Sequence, residues 1–153
     1  MEINNIVIEP FSIKYLEQVG EIHYRVADGW SLKGLVADLA NSATKSYVAT
    51  IDGKAVAFCS YLVTDDAELE FVCVHPSYRH KGIATKLLDE TMAQMPREIY
   101  RVVLEVRSQN ENAIKLYEKL GFDKLGIRKR FYSSPADDAV VMEKNRNGAK
   151  ELD

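Results

Sequence analysis

The chain has 153 residues, 46% of them hydrophobic, which is enough for one domain with an ordinary core. A formal net charge of −3 excludes a nucleic-acid binder that works through global charge, and the mild acidity suits a basic substrate. No apolar run approaches the ~20 residues that span a bilayer, so no membrane association is expected. Met1-Glu2-Ile3-Asn4-Asn5 has neither a basic stretch nor an apolar signal core. The two cysteines, Cys59 and Cys73, lie inside predicted strands without metal-ligand spacing. A cytoplasmic protein with reduced thiols and no metal is expected, with both cysteines buried as small hydrophobes.

In chain order, Ile3–Ile8 reads as a first strand, stopped by Pro10. Ile13, Leu16, Val19 and Ile22 recur at threes, which predicts a helix over Ser12–Arg25 ended by Asp28-Gly29. Ser31 can cap a short helix over Leu32–Leu39. Ser46–Ile51 and Ala55–Val63 are strands joined at Asp52-Gly53, a dipeptide suited to the positive φ of a tight hairpin turn. Thr64-Asp65-Asp66 is the next turn, Glu68–Val74 a strand, and Ile83–Met95 a helix stopped by Pro96. Arg101–Val106 is a strand. Asn110–Leu120 is a helix with Gly121 as its left-handed stop. Ile127–Tyr132 and Ala139–Glu143 are the last strands. Residues 1–143 are expected as a single domain and 144–153 as a polar tail that frays. The sum is an α/β domain with a mixed sheet, antiparallel strands first and a strand–helix–strand crossover after.

The densest local signal runs from Glu70 to Leu88. An apolar strand, Phe71-Val72-Cys73-Val74, meets a Pro turn. Arg79-His80-Lys81-Gly82 follows, and a helix opens at Ile83-Ala84-Thr85. Free N–H groups of a helix start beside three basic side chains make a pyrophosphate cradle. A Walker A loop is excluded, because Lys81 precedes Gly82 and no Ser or Thr follows the pair. A dinucleotide fingerprint is excluded too, for it needs three glycines. A βα turn with solvated basic residues fits the hexapeptide as well.

A second patch spans Leu104 to Phe122. Glu105 interrupts the apolar run Val102-Val103-Leu104-Glu105-Val106, in a crossover strand that is normally covered on both faces. A carboxylate there is either desolvated, and so tuned toward a general base, or at an open cleft. Alternatively Arg101, Glu105 and Arg107 form an ordinary salt-bridged set on one face. Tyr117 belongs to the Ala113, Leu116, Tyr117, Leu120 stripe and fits either a core position or a proton donor at a cleft mouth. Ser108 and Glu111 have capping-box spacing, and Asn110 is free in sequence terms to present its amide to a ligand.

Both patches resemble the GCN5-related N-acetyltransferase (GNAT) superfamily. Arg79-His80-Lys81-Gly82-Ile83-Ala84 matches its Arg/Gln-x-x-Gly-x-Gly/Ala pattern. Trp30-Ser31, Val72-Cys73-Val74, Leu104-Glu105-Val106-Arg107 and Asn110-x-x-Ala113-Ile114-x-Leu116-Tyr117-Glu118-x-Leu120-Gly121-Phe122 match as well. So do Ile127-Arg128-x-x-x-Tyr132 and Asp138-Ala139-Val140-Val141-Met142. The likeness extends from about Trp30 to Glu143 and is greatest to the RimI branch, the ribosomal-protein-alanine N-acetyltransferases. Gly29 stands where that pattern usually has Pro, and the Ser133-Ser134-Pro135 loop is short.

The resemblance implies the GNAT fold with a V-shaped opening between two parallel strands, and acetyl-CoA as donor. The implied acceptor is the α-amine of a protein N-terminus with a small first residue such as Ala, on a ribosomal protein. It implies Glu105 as general base and Tyr117 as general acid; should Glu105 be a structural ion pair instead, Glu70 on the cradle strand is the next candidate for the base. The backbone of Val72, Cys73 and Val74 and the side chain of Asn110 would hold the cofactor arm. Arg79, His80, Lys81, Gly82, Ile83, Ala84 and Thr85 would hold its pyrophosphate. Glu70 and Tyr132 would contact the acceptor.

Overall fold

The computed structural model describes residues 5–146. Among these residues seven strands and four α-helices follow as β1 (Ile6–Pro10), α1 (Leu16–Tyr24), α2 (Leu32–Ala40), β2 (Thr44–Ile51), β3 (Lys54–Val63), β4 (Ala67–Val74), α3 (Ile83–Ala93), β5 (Arg101–Arg107), α4 (Glu111–Lys119), β6 (Asp123–Ser133) and β7 (Ala136–Asn145). The strand order is β1-β2-β3-β4-β5-β7-β6. As the sequence predicts, β1, β2 and β3 are antiparallel and β4 runs parallel to β5 across a helical crossover. The described residues gather into two compact units, 5–63 with 71–94 and 64–70 with 95–146.

The first unit is built on the β2–β3 hairpin. Asp52 and Gly53 both have positive φ, 51° and 80°, as its tight turn demands. Against the sheet, α1 and α2 bury Val19, Ile22 and Leu35 with Phe11, Val48 and Phe58. Each such side chain contributes about 1.5–3 kcal/mol. Ser31 caps α2 as its sequence predicts, its Oγ accepting from Gly34 N at 3.1 Å. The buried Asp38 fastens α2 to the sheet by accepting from the Ser46 and Ser60 hydroxyls, which satisfies a carboxylate that burial would otherwise penalise. Cys59 and Cys73 are free thiols, both buried, as expected. Burial pushes the Cys59 thiol up to about 12.

In the second unit β5 alternates regularly. Val102, Leu104 and Val106 are buried, while Arg101, Val103, Glu105 and Arg107 share the half-buried face. β5 pairs with β7, and β7 with β6.

Several boundaries depart from the sequence-based expectations. Pro10 ends β1 instead of stopping it earlier. This is tolerated because β1 is an edge strand with β2 as its neighbour; Ile3 and Asn4 lie outside the described residues. β6 starts at Asp123 and carries two register irregularities, with Arg130 at φ 53°. Lys144 and Asn145, expected in a fraying tail, extend β7. Asn145 pairs with Arg101, and Lys144 Nζ donates to Leu120 O at 2.7 Å, closing the end of α4 beside Gly121. The rest of the expected tail, 147–153, lies outside the described residues. Among the described residues no helix is long and apolar enough to cross a membrane, and no cluster of three metal-ligating side chains occurs.

Candidate active site

The first unit carries the basic loop. Phe71 and Cys73 pack into its core, and Val72 and Val74 alternate away from it. His75 N donates to Val56 O at 2.8 Å, which fixes the strand's exit. Two left-handed residues then reverse the chain, His80 at φ 63° and Gly82 at φ 77°. Gly82 is the N-cap of α3 and supplies no capping side chain. The first helical bond runs from Lys86 N to Gly82 O at 3.1 Å, so the amides of Ile83, Ala84 and Thr85 have no intrahelical acceptor. A Cβ built on Gly82 meets nothing within 4 Å, so the space beside that residue is open. Among the described residues Arg79, His80 and Lys81 make no ion pair. Unsatisfied amides, the positive end of a helix dipole and three basic side chains together suit a phosphate group.

The second unit carries the acid–base candidates. Register pairs between β4 and β5 run from Ala67↔Val102 to Leu69↔Leu104, and Glu105 is the next residue along β5. Its side chain is 21% exposed, and Arg128 Nη1 donates to its Oε2 at 2.8 Å. Oε1 accepts no hydrogen bond among the described residues. Arg101, Glu105 and Arg107 do share a face, but their partners lie on other strands and turns. Arg101 pairs with Glu143 at 2.6 Å and Asp66 at 3.2 Å. Arg107 donates to the carbonyls of Ser134 and Pro135.

Tyr117 is 8% exposed, its ring edge-on to Phe122 at 5.8 Å. Burial, and then the neighbouring Tyr132, push its phenol above the ordinary tyrosine value. The phenol therefore keeps its proton at neutral pH. His23 Nε2 is the only fully enclosed and unpartnered side-chain nitrogen or oxygen among the described residues. The Tyr117 oxygen makes no hydrogen bond there and is not among the fully enclosed atoms. Tyr132 is half-buried, with the Arg107 guanidinium over its ring at 4.2 Å. Glu70 is exposed.

The capping box expected of Ser108 and Glu111 does not form. Glu111 is the first residue of α4, so the cap falls to Asn110, whose Oδ1 accepts from Ala113 N at 3.2 Å. Ser108 donates instead to Asp137 at 2.5 Å. The Asn110 side-chain amide N–H remains available for a ligand.

The Acetyltransferase (GNAT) family model matches residues 3–122. The chain belongs to this family. It is 35% identical over 101 residues to the [ribosomal protein bS18]-alanine N-acetyltransferase of Escherichia coli strain K12, covering 63% of this chain and 68% of that one. The crystal structure of the ribosomal-protein-S18-alanine N-acetyltransferase from Escherichia coli superposes with a TM-score of 0.84, at 29% identity over 92% of this chain and 93% of that one. Arabidopsis thaliana NAA60 in complex with acetyl-CoA shares the fold, with a TM-score of 0.81 at 20% identity over 94% of this chain and all of that one. The GNAT membership and α/β fold expected from the sequence are thereby established, and with them an acyltransferase enzyme.

Two side-chain arrangements escape the sequence. Arg128 reaches Glu105 across 23 positions, and strand periodicity along β6 is too weak to show which way it points. His23 is the other. It sits in an aromatic box, 5.0 Å from Phe71 and 5.6 Å from Trp30, and its Nδ1 accepts from Trp30 N at 2.8 Å. Its only sequence signal is its place on the apolar stripe of α1. Gly29 lies against the same residue. A Cβ there would fall 2.0 Å from His23 O, which accounts for glycine in place of the family's usual proline.

Proposed function

We propose that this chain transfers an acetyl group from acetyl-CoA to the α-amine of a protein N-terminus. The first residue is small, such as alanine, the acceptor is a ribosomal protein, and the setting is the cytoplasm. The observation that carries the chemistry is the open, uncapped start of α3 behind Gly82, joined on one chain to a carboxylate with a free oxygen and a protonated phenol. The likeness to ribosomal-protein-alanine enzymes supports the acceptor.

The residues fit the donor. Arg79, His80, Lys81 and the amides of Gly82, Ile83, Ala84 and Thr85 would hold its pyrophosphate. The backbone of Val72, Cys73 and Val74 and the side-chain amide of Asn110 would hold its arm. When bound, acetyl-CoA supplies a thioester. Glu105 takes the amine proton on Oε1, directly or through a water, while Arg128 fixes Oε2. A backbone N–H of Val72–Val74 donates to the oxygen that gains charge. Tyr117 holds the proton needed by the departing sulfur. Glu70 attracts the cationic acceptor, and Tyr132, held by Arg107, hydrogen-bonds its extended backbone.

The choice of an α-amine agrees with elementary titration. An α-amino group titrates at about 7.7–8.0 and a lysine at about 10.4, so the neutral, nucleophilic form costs about 3.4 kcal/mol less for the α-amine. One carboxylate base suffices more easily there. The test offers acetyl-CoA with a panel of N-terminal peptides and sequences those acetylated. Enrichment of Ala-initiated peptides is expected. Turnover confined to polyamines, other small amines or internal lysines would overturn the acceptor, and cofactor binding without turnover of any amine would overturn the enzyme reading.

A further inference from the structure

We infer that a bulge in β6 is a positioning device for Glu105, in which Phe131 steadies the Arg128 guanidinium and Arg128 holds the carboxylate. This rests on the reading of Glu105 as the base, and every residue in the device belongs to the second unit. Arg128 pairs with Ala139 and Tyr132 with Asp137, so Lys129, Arg130 and Phe131 all stand opposite Asp138 alone. An ordinary bulge sets two residues against one, and bulges beside active sites serve to re-aim a side chain. The extra chain is pinned. Arg130 takes a left-handed φ of 53°, uncommon for a residue with a side chain. Its N–H donates to Asp138 Oδ1 at 2.8 Å, and Lys129 Nζ lies 3.6 Å from Asp138 Oδ2.

The side chain that the bulge re-aims is Phe131. In a regular strand, positions three apart point to opposite faces, so residues 128 and 131 would not meet. Here the Phe131 ring centroid lies 5.5 Å from the Arg128 guanidinium carbon, within cation–π range. This contact accounts for a large apolar ring left 45% exposed on a strand that enters no core. Arg128 needs such support. Its side chain is 61% exposed, against 21% for Glu105, and an ion pair of that exposure adds little to stability. Its effect is one of placement. With Oε2 tied to Arg128 Nη1 at 2.8 Å, the carboxylate is restrained and Oε1 is left for the amine proton. A reacting group displaced by about 1 Å can cost about 10²-fold in rate.

The test measures kcat, KM and acetyl-CoA affinity in single and double variants, on whichever amine the wild type acetylates. Arg128→Leu should lower kcat about tenfold or more, with KM, acetyl-CoA affinity and the melting transition kept. Arg128→Lys, which retains a cationic donor, should recover most of that loss. Phe131→Leu should lower kcat about threefold, as an exposed cation–π contact allows, and should change nothing further in the Arg128→Leu background. A positioning residue acts only through the group it holds. Arg128→Leu should therefore have no further effect once Glu105→Gln is in place. Full kcat in Arg128→Leu beside a slow Glu105→Gln would overturn the device and leave Glu105 as the base. Equal losses from Arg128→Leu in both backgrounds, or a melting temperature that falls with the rate, would make the pair structural and overturn the device as well. Full kcat in Glu105→Gln would overturn base and device together. A loss from Phe131→Leu that persists in full without Arg128 would remove Phe131 from the device and overturn the role given to the bulge.

Discussion

The basic loop and the proposed acid–base patch are built on different length scales. Everything the loop needs lies within seven consecutive residues, Arg79 to Thr85, and its main groups are backbone amides released by one left-handed glycine. The patch is assembled from distant positions. Glu105 takes its partner from β6, and Tyr117 on α4 takes its environment from Phe122 and Tyr132. Backbone sites of this kind tolerate side-chain drift but not a change at the glycine. Side-chain sites of the other kind depend on single functional groups.

That contrast can be broken at either end. The largest effect is expected at Glu105→Gln, an isosteric change that keeps the shape but removes the proposed base. Steady-state kinetics should show kcat lowered by about 10²- to 10⁴-fold, with cofactor affinity and the melting transition intact. An unchanged kcat with a lower melting temperature would make the Arg128 pair purely structural and shift the base to Glu70.

Gly82→Asp should act on binding alone. It forces a Cβ into a left-handed position and sets a negative charge against the anion, so acetyl-CoA affinity by calorimetry should fall about 10³-fold, or about 4 kcal/mol. Wild-type affinity would place the cradle elsewhere.

His23 gives the first unit a pH signature. Burial holds its imidazole at about 4 in the folded chain, against 6.5 in the unfolded one. Between these values the unfolded chain carries a proton that the folded chain does not, so stability declines as pH drops from about 6.5 to about 4. The full decline is about 3 kcal/mol. Melting curves across that window should show it in the wild type and lose it in His23→Asn; parallel curves would remove His23 as the cause.

Tyr117→Phe should have the smallest effect, about 10²-fold in kcat with cofactor affinity kept. Because the phenol sits above its ordinary value, its ionisation should not limit the rate below pH ~10. A fall in rate through a group near pH 9 that disappears in Tyr117→Phe would contradict the upward shift of that phenol.

What the sequence made legible follows the same division. Asp52-Gly53, the Ser31 cap, the Gly121 stop and the Gly82 turn are local, and each forms where its residues predict. The errors lie where a distant strand decides. β6 is exposed along nearly its whole length, so no apolar alternation marks its start at Asp123. Lys144 and Asn145 look like tail residues until β5 supplies a partner for one and the end of α4 for the other. Ser108 has the right spacing for a cap, yet Asp137, 29 positions away, takes its hydroxyl and leaves the role to Asn110. Among the site residues, the loop was readable as chemistry. Glu105 and Tyr117 were readable as residue types, and their partners Arg128 and Tyr132 became assignable only with the strand pairings.

The central claim is that the nucleophile is an α-amine, and one peptide tests it most directly. It carries a free N-terminal Ala and an internal Lys, and after incubation with enzyme and acetyl-CoA it is fragmented by mass spectrometry. The acetyl group should sit on the α-nitrogen, with a rate that rises through a group near pH 8 and flattens well below the lysine value of about 10.4. Acetyl found mainly on the lysine nitrogen, with a rate still climbing past pH ~9, would contradict it.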